Sequence, residues 1–141
     1  MIAGPITILK ENATVESVLG RDSTTKVKVY PVRVPQKEGS DPVYPDQYLV
    51  VYKTPGQPVH GKGCRGEMEL ANFNVHCCAS NYSKIDRLME VVVDALQTSE
   101  TVESEGYRYQ GIWCTGDYDS FDEPARRFVR VVSFSTHSTK L

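Results

Sequence analysis

The spacing of apolar residues along the chain switches several times between the period of a helix and that of a strand. From Ile6 to Leu19 the positions Ile8, Leu9, Val15, Val18 and Leu19 form a helical stripe, interrupted by Asn12 and Thr14, and Gly20 supplies a stop. The stripe predicts a helix over about 12–19, with room for an earlier start. From Lys26 to Arg33, Val27, Val29 and Pro31 alternate with Lys28, Tyr30 and Val32. That alternation predicts a strand, and Pro31, which has no N–H to donate, pushes it to a sheet edge. Pro35, Gly39, Pro42 and Pro45 make 35–46 a loop. Gln47–Thr54 is β-branched and aromatic and predicts a strong strand, ended by Pro55-Gly56-Gln57-Pro58. A polar, glycine-rich tongue follows through Gly66.

Glu67–Cys78 alternates cleanly. Glu67, Glu69, Ala71, Phe73, Val75 and Cys77 share one side, and Phe73 and Val75 mark it as the core side. Glu67 and Glu69 on that side predict that the first half of the strand projects into water or onto a partner. The strongest element is a helix over Ser83–Gln97. Ile85, Leu88, Met89, Val92, Ala95 and Leu96 recur at helical spacing, while Lys84, Arg87, Glu90, Asp94 and Gln97 take the wet face. Ser83 with Asp86 resembles a capping box. Thr98–Gly106 is polar and acidic and is expected to be a loop. Tyr107–Thr115 is a strand, Gly116–Pro124 a turn region, and Phe128–Thr136 the last strand. Strands cluster without regular βαβ alternation. The expected fold class is α+β: a mainly antiparallel sheet of about four to five strands, packed by one long helix and a shorter N-terminal helix. At 141 residues the chain is expected to be one domain, with the loops at 35–46 and 55–66 projecting.

Charge narrows the function classes. Sixteen basic residues against 18 acidic ones give a formal net charge of −2, with no basic stripe, which argues against a dedicated nucleic-acid binder. No apolar run approaches the roughly 18 residues that cross a bilayer. Met1–Leu9 lacks a basic start followed by an apolar stretch, so no secretion signal is expected. In a reducing compartment Cys64, Cys77, Cys78 and Cys114 are expected to be free thiols. The sequons at Asn12 and Asn81 then carry no meaning as glycosylation sites.

Candidate chemistry is thin. Gly61-Lys62-Gly63-Cys64-Arg65-Gly66 spells G-x-G-x-x-G, but a strand follows it where a dinucleotide site needs a helix. It reads instead as a hairpin tip. His60, Cys64, His76, Cys77 and Cys78 are metal-ligand types without a C-x-x-C pair. Asp117, Asp119, Asp122 and Glu123 form an acidic cluster whose spacing does not fit a calcium loop. A turn, with Arg126 and Arg127 offsetting part of its charge, is the simpler reading. No cofactor is expected.

Several segments together resemble a known family. They are Tyr30-Pro31-Val32-Arg33-Val34-Pro35-Gln36, the strand Tyr48–Tyr52 with its turn at Pro55–Pro58, and the strand Ala71–Cys78 leading through Ala79-Ser80-Asn81-Tyr82 into the helix. The aspartates around Tyr118 and the closing strand Arg127–Ser135 complete the pattern. From about Val27 to His137 the chain resembles the tail terminator proteins, also called tail completion or head–tail joining proteins, of long-tailed bacteriophages and prophages. The resemblance implies a non-enzymatic virion protein at the tail–neck junction, assembled in the bacterial cytoplasm. It implies a homo-oligomeric ring, a hexamer, that caps the tail tube, stops its growth and meets the head connector or neck proteins. DNA would pass through the channel only as cargo. No membrane is involved. Ring closure needs a heterologous contact, and the candidates for it are Gln36, Lys37, Glu38 and Asp41 in the first loop and His60, Lys62, Arg65, Glu67 and Glu69 in and beside the tongue. Two other readings stay open: a small metal-dependent enzyme using the acidic cluster or the His and Cys residues, and a cytoplasmic protein-interaction domain.

Overall fold

A computed structural model describes residues 3–21, 26–31, 44–59 and 68–141. Within them the chain is α+β, with helices on a six-stranded mixed sheet. The elements are α1 (Ala3–Glu11), α2 (Ala13–Leu19), β1 (Val29–Pro31), β2 (Gln47–Val59), β3 (Met68–Ala79), a 3₁₀ turn (Tyr82–Lys84), α3 (Ile85–Leu96), β4 (Thr98–Ser104), β5 (Tyr107–Asp122) and β6 (Arg127–Lys140). The strand order is β1-β2-β3-β6-β5-β4. All neighbours are antiparallel except β1 and β2. The sheet is thus one strand wider than expected, and mixed.

Its two faces differ. Leu49, Val51, Phe73, Val75, Cys77, Val132 and Phe134 pack against Leu88, Val91, Val92 and Leu96 of α3, with Leu9, Val15 and Leu19 of α1 and α2 completing the core. Each large apolar side chain buried there contributes about 1.5–3 kcal/mol before entropy is charged against it. Phe73 and Phe134 stack across β3 and β6 with ring centroids 5.3 Å apart. On the opposite face Tyr30, Tyr48, Val50, Cys78, Val129 and Val131 make a smaller cluster. The adjacent Cys77 and Cys78 therefore belong to different cores, as strand alternation requires.

Several boundaries differ from expectation, each for a local reason. The N-terminal stripe is two helices. Asn12 divides them, and its Oδ1 accepts the N–H groups of Thr14 and Val15 at 3.0 and 3.1 Å, capping α2. Asn81 acts alike: its Oδ1 accepts both the N–H and the hydroxyl of Ser83. The expected capping box at Ser83 is therefore absent, and α3 begins at Ile85 with no side-chain cap. Both sequon asparagines are helix caps.

Pro55–Pro58 does not end β2, which continues to Val59 after a register shift between Thr54 and Gln57. Among the described residues β1 covers only Leu49–Val51, so this stretch is a sheet edge, where proline is tolerated. Thr98–Ser104 is a strand, β4, rather than a loop. It is an edge strand with little buried on either face, so no apolar alternation announces it. Glu105 and Gly106, at φ 51° and 79°, form the two-residue turn to β5. The segment expected to turn at Gly116 remains strand to Asp122, and the reversal comes at Glu123–Arg126.

Gly4 lies in α1 against the Tyr109 ring, where a Cβ would come within 2.6 Å of Cε2 and Cζ. A glycine-to-alanine change inside a helix ordinarily stabilises by about 1 kcal/mol. Here Gly4→Ala is expected to destabilise instead, by about 1–3 kcal/mol from overpacking, measured as a lower urea midpoint at unchanged slope.

Candidate assembly interface

The sequence candidates divide unevenly. Gln36, Lys37, Glu38, Asp41, His60, Lys62, Arg65 and Glu67 lie outside the described residues, as do Cys64 and the glycine motif. Glu69 is described. It sits near the start of β3 and pairs with Lys53 of β2 at 3.5 Å, both side chains more than a third exposed. That pair is worth little for stability.

What the structure adds is the long β5–β6 hairpin. Its final third carries Tyr118, 59% exposed, with Phe121 and Phe128 also exposed. Phe121 meets Phe128 edge-on at 5.2 Å, and Phe128 meets Tyr82 of the 3₁₀ turn at 5.7 Å. Register places Asp119 opposite Arg130. The Arg130 side chain, 12% exposed, gathers the charges around it. Its Nε donates to Asp119 Oδ1 at 2.8 Å and its Nη1 to Asp86 of α3, while Asp117 lies at 4.0 Å. Tyr82 donates its hydroxyl to Asp119 Oδ2 at 2.8 Å and accepts from Arg130 Nη2 at 3.1 Å. The guanidinium also lies 5.9 Å from the Tyr82 ring centre.

This clasp fixes the hairpin to the start of α3. Arg126 and Arg127 form no ion pair with the acidic cluster among the described residues, although Arg127 stands opposite Asp122 in the ladder. Arg127 instead donates to the backbone carbonyls of Tyr44, Pro45, Ala125 and Arg126, securing the hairpin turn to the start of β2. Arg126 occupies the left-handed region at φ 54°. Arg130 was not legible as the partner, because only strand pairing brings it to Asp119.

On the opposite face a cleft of about 360 Å³ opens beside the smaller core, with Tyr44, Tyr48, Tyr52, His76, Cys78 and Tyr118 in its wall. Tyr52 and His76 pack at 4.5 Å. The cleft is poorly equipped for catalysis. Burial pushes the Cys78 thiol up to about 12 and the Cys77 thiol further, so neither offers a thiolate. Burial also lowers His76, favouring its neutral form. Among the described residues no three of His, Cys, Asp and Glu converge on a point that would hold a metal ion. Within the acidic cluster Asp119 is engaged by Arg130 and Tyr82, Asp117 lies beside Arg130, and Asp122 accepts the Ala125 N–H. The side chains of Tyr82, Tyr118, Phe121 and Phe128 are exposed at this end of the hairpin.

The hydrogen bonds from Arg130 and Tyr82 hold the Asp119 carboxyl below the usual carboxylate range. A depressed folded-state value means the unfolded chain binds the proton first. The contribution is therefore full above the ordinary carboxylate pKa and lost as pH falls through the folded value. Asp119→Asn is expected to lower the thermal midpoint at pH 7 and to match the parent chain in strong acid. Arg130→Met is expected to lower the neutral-pH midpoint further, because it also releases Asp86 and Tyr82. Calorimetric scans from pH 7 to pH 2 check both.

No protein-family model and no curated protein matches the chain. Solved structures do match. Among them is a chain of a particle described as "Virion of native gene transfer agent (GTA) particle", with a TM-score of 0.68 and 18% sequence identity, covering 97% of this chain and 92% of that one. At this identity the likeness is one of fold, and it spans both chains nearly end to end.

Proposed function

We propose that this chain is a structural protein of a phage-like virion, and that it acts as the ring subunit that closes the tail tube at the neck. The observation that carries the reading is the near full-length fold likeness to a chain of a gene transfer agent virion. The resemblance of Tyr30–Gln36, Tyr48–Tyr52, Ala71–Tyr82 and Arg127–Ser135 to tail terminators supports the same reading from the sequence side.

In this reading the ring is a hexamer and the chain works without turnover. It stops tube elongation, joins the tube to the head connector, and lets DNA pass as cargo. The physical features suit that work. A duplex carries one negative charge per roughly 1.7 Å of axis, and a strongly basic channel would hold it back. A chain with net charge −2 whose Arg130 and Arg127 are engaged internally does not present such a grip. The metal-enzyme alternative loses its best site to the Arg130 clasp.

The purified chain is expected to reach six times its monomer mass in light scattering across a concentration series, and to show closed rings in electron micrographs. A chain that stays monomeric at every concentration, and also in the presence of isolated tail tubes, would overturn the ring.

A further inference from the structure

The outer strands of the sheet, β1 and β4, differ in what their free sides offer. In β1 the Lys28 carbonyl accepts the Leu49 N–H, so alternation turns Tyr30 toward β2 as well. Of the residues turned outward, Val29 already gives its N–H to the Val27 carbonyl at 2.7 Å, and Pro31 has none. The described part of β1 therefore has no donor left for another strand. β4 keeps its donors. Glu105 and Gly106 make a two-residue turn, so Ser104 and Tyr107 are a hydrogen-bonded pair, and alternation makes Val102 and Tyr109 the next. Thr101 and Glu103 alternate with these, and their N–H and C=O groups point out of the sheet. Both residues are exposed, and β4 contains no proline.

The same alternation sorts the side chains. Val102 sits across from the buried Tyr109, on the side that carries the helices, where Ser104 Oγ donates to the Gly4 carbonyl of α1 at 3.4 Å. Thr101 and Glu103 belong to the other face, across from Gln110 and Arg108. Arg108 binds Glu103 at 2.9 Å, whereas Glu100 and Glu105 meet no cation among the described residues. Glu105 accepts the Thr7 hydroxyl at 2.9 Å. The edge is therefore acidic. A strand added to β4 sets one side chain beside Glu103, about 5 Å away. Lys or Arg suits that position, because it continues the row from Arg108 through Glu103 with alternating sign. The neighbouring position, beside the half-buried Val102, suits an apolar side chain. The turn at Glu105 bounds the dock at one end. The bulge between Thr98 and Thr101, where Thr98 Oγ1 takes the Glu100 N–H, bounds it at the other. That leaves room for a strand of about five residues.

Resting on the virion reading above, we infer that the outward edge of β4 accepts an extended segment of a different virion protein, one in which Lys or Arg alternates with apolar residues. The main-chain groups of Thr101 and Glu103 supply affinity, and the glutamates select the sign of the partner and set its register. A second copy of this chain is a poorer occupant. Its β4 would bring glutamates against glutamates, and its β1 has no donor to offer.

The test adds a capped, dye-labelled peptide, Arg-Val-Lys-Val-Thr-Lys, to the full chain, with Glu-Val-Glu-Val-Thr-Glu as its acidic counterpart. The basic peptide is expected to bind at least ~tenfold more tightly by fluorescence anisotropy. It is also expected to slow hydrogen exchange at the Thr101 and Glu103 N–H groups, which face water in the free chain. Thr101→Pro removes an outward donor and spares the ladder to β5, so it is expected to weaken binding while the fold is kept. Glu103→Lys is expected to reverse the preference between the two peptides, a readout that does not depend on the proline variant folding. Equal binding of both peptides, binding without protection of Thr101 and Glu103, or no binding would each overturn the site. Protection of those two groups that rises with chain concentration in the absence of peptide would overturn it as well, since a second copy would then be the occupant. Light scattering reads the ring separately: a monomeric chain that binds the basic peptide in this way would keep the edge site and lose the ring.

Discussion

The antiparallel ladder between β3 and β6 is the constraint on which the rest depends. Every residue of β3 pairs with β6, from Met68 with Thr139 to Ala79 with Phe128. Because side chains alternate, that single register decides which residues meet the helices and which meet the open face. It puts Phe73 on Phe134 and Val75 beside Val132 in the main core, and Cys78 beside Val129 in the smaller one. A slip of one residue would exchange the two cores and bring Arg130 to the wrong face. The stacked Phe73–Phe134 pair at the centre, flanked by the α3 stripe, makes that slip costly. The hairpins outside the ladder inherit their placement from it.

That inheritance gives the molecule its surface. β5 runs on beyond the part that β4 covers, and its last residues, with the start of β6, carry exposed aromatic side chains. Arg130 supplies the anchor, reaching Asp86 on the helix and Asp119 on the neighbouring strand from a nearly buried position. The carboxylates stay in water, so the cluster avoids the desolvation penalty of a fully buried ion pair. Gly111, at φ 79°, lets β5 bulge where its register shifts, and the Thr136 hydroxyl donates to its carbonyl. The same strand can thus serve both the core and the exposed end of the hairpin.

How far the sequence revealed this depends on whether an element has an inside. α3 and β3 each bury one face, and their periods 3.6 and 2 were plain in Ile85–Leu96 and Ala71–Cys77. β1 was placed at an edge by Pro31 alone. β6 likewise divides Val129 and Val131 from Val132 and Phe134 between the two faces. β4 and the ends of β2 and β5 were missed because they lie at sheet edges. Solvent on both sides of β4 leaves no apolar rhythm, and proline at an edge looks like a stop. The candidate contact residues were legible only as composition: charged, glycine-rich loops. Arg130 was hidden for a different reason, since its partners sit 11 and 44 positions away and meet it only through tertiary structure.

These omissions share a cause that bears on function. Residues whose partners lie in another copy leave the same mark on a single chain as residues with no partner at all. A free edge such as β4 invites uncontrolled pairing, and proteins ordinarily blunt it with charge or proline. β2 is blunted by Pro55 and Pro58, whereas β4 carries glutamates but no proline. Glutamates repel a second acidic edge and so block β4 from pairing with another β4. Charge at this edge therefore disfavours the two-fold pairing of one β4 with another that an unprotected edge would invite.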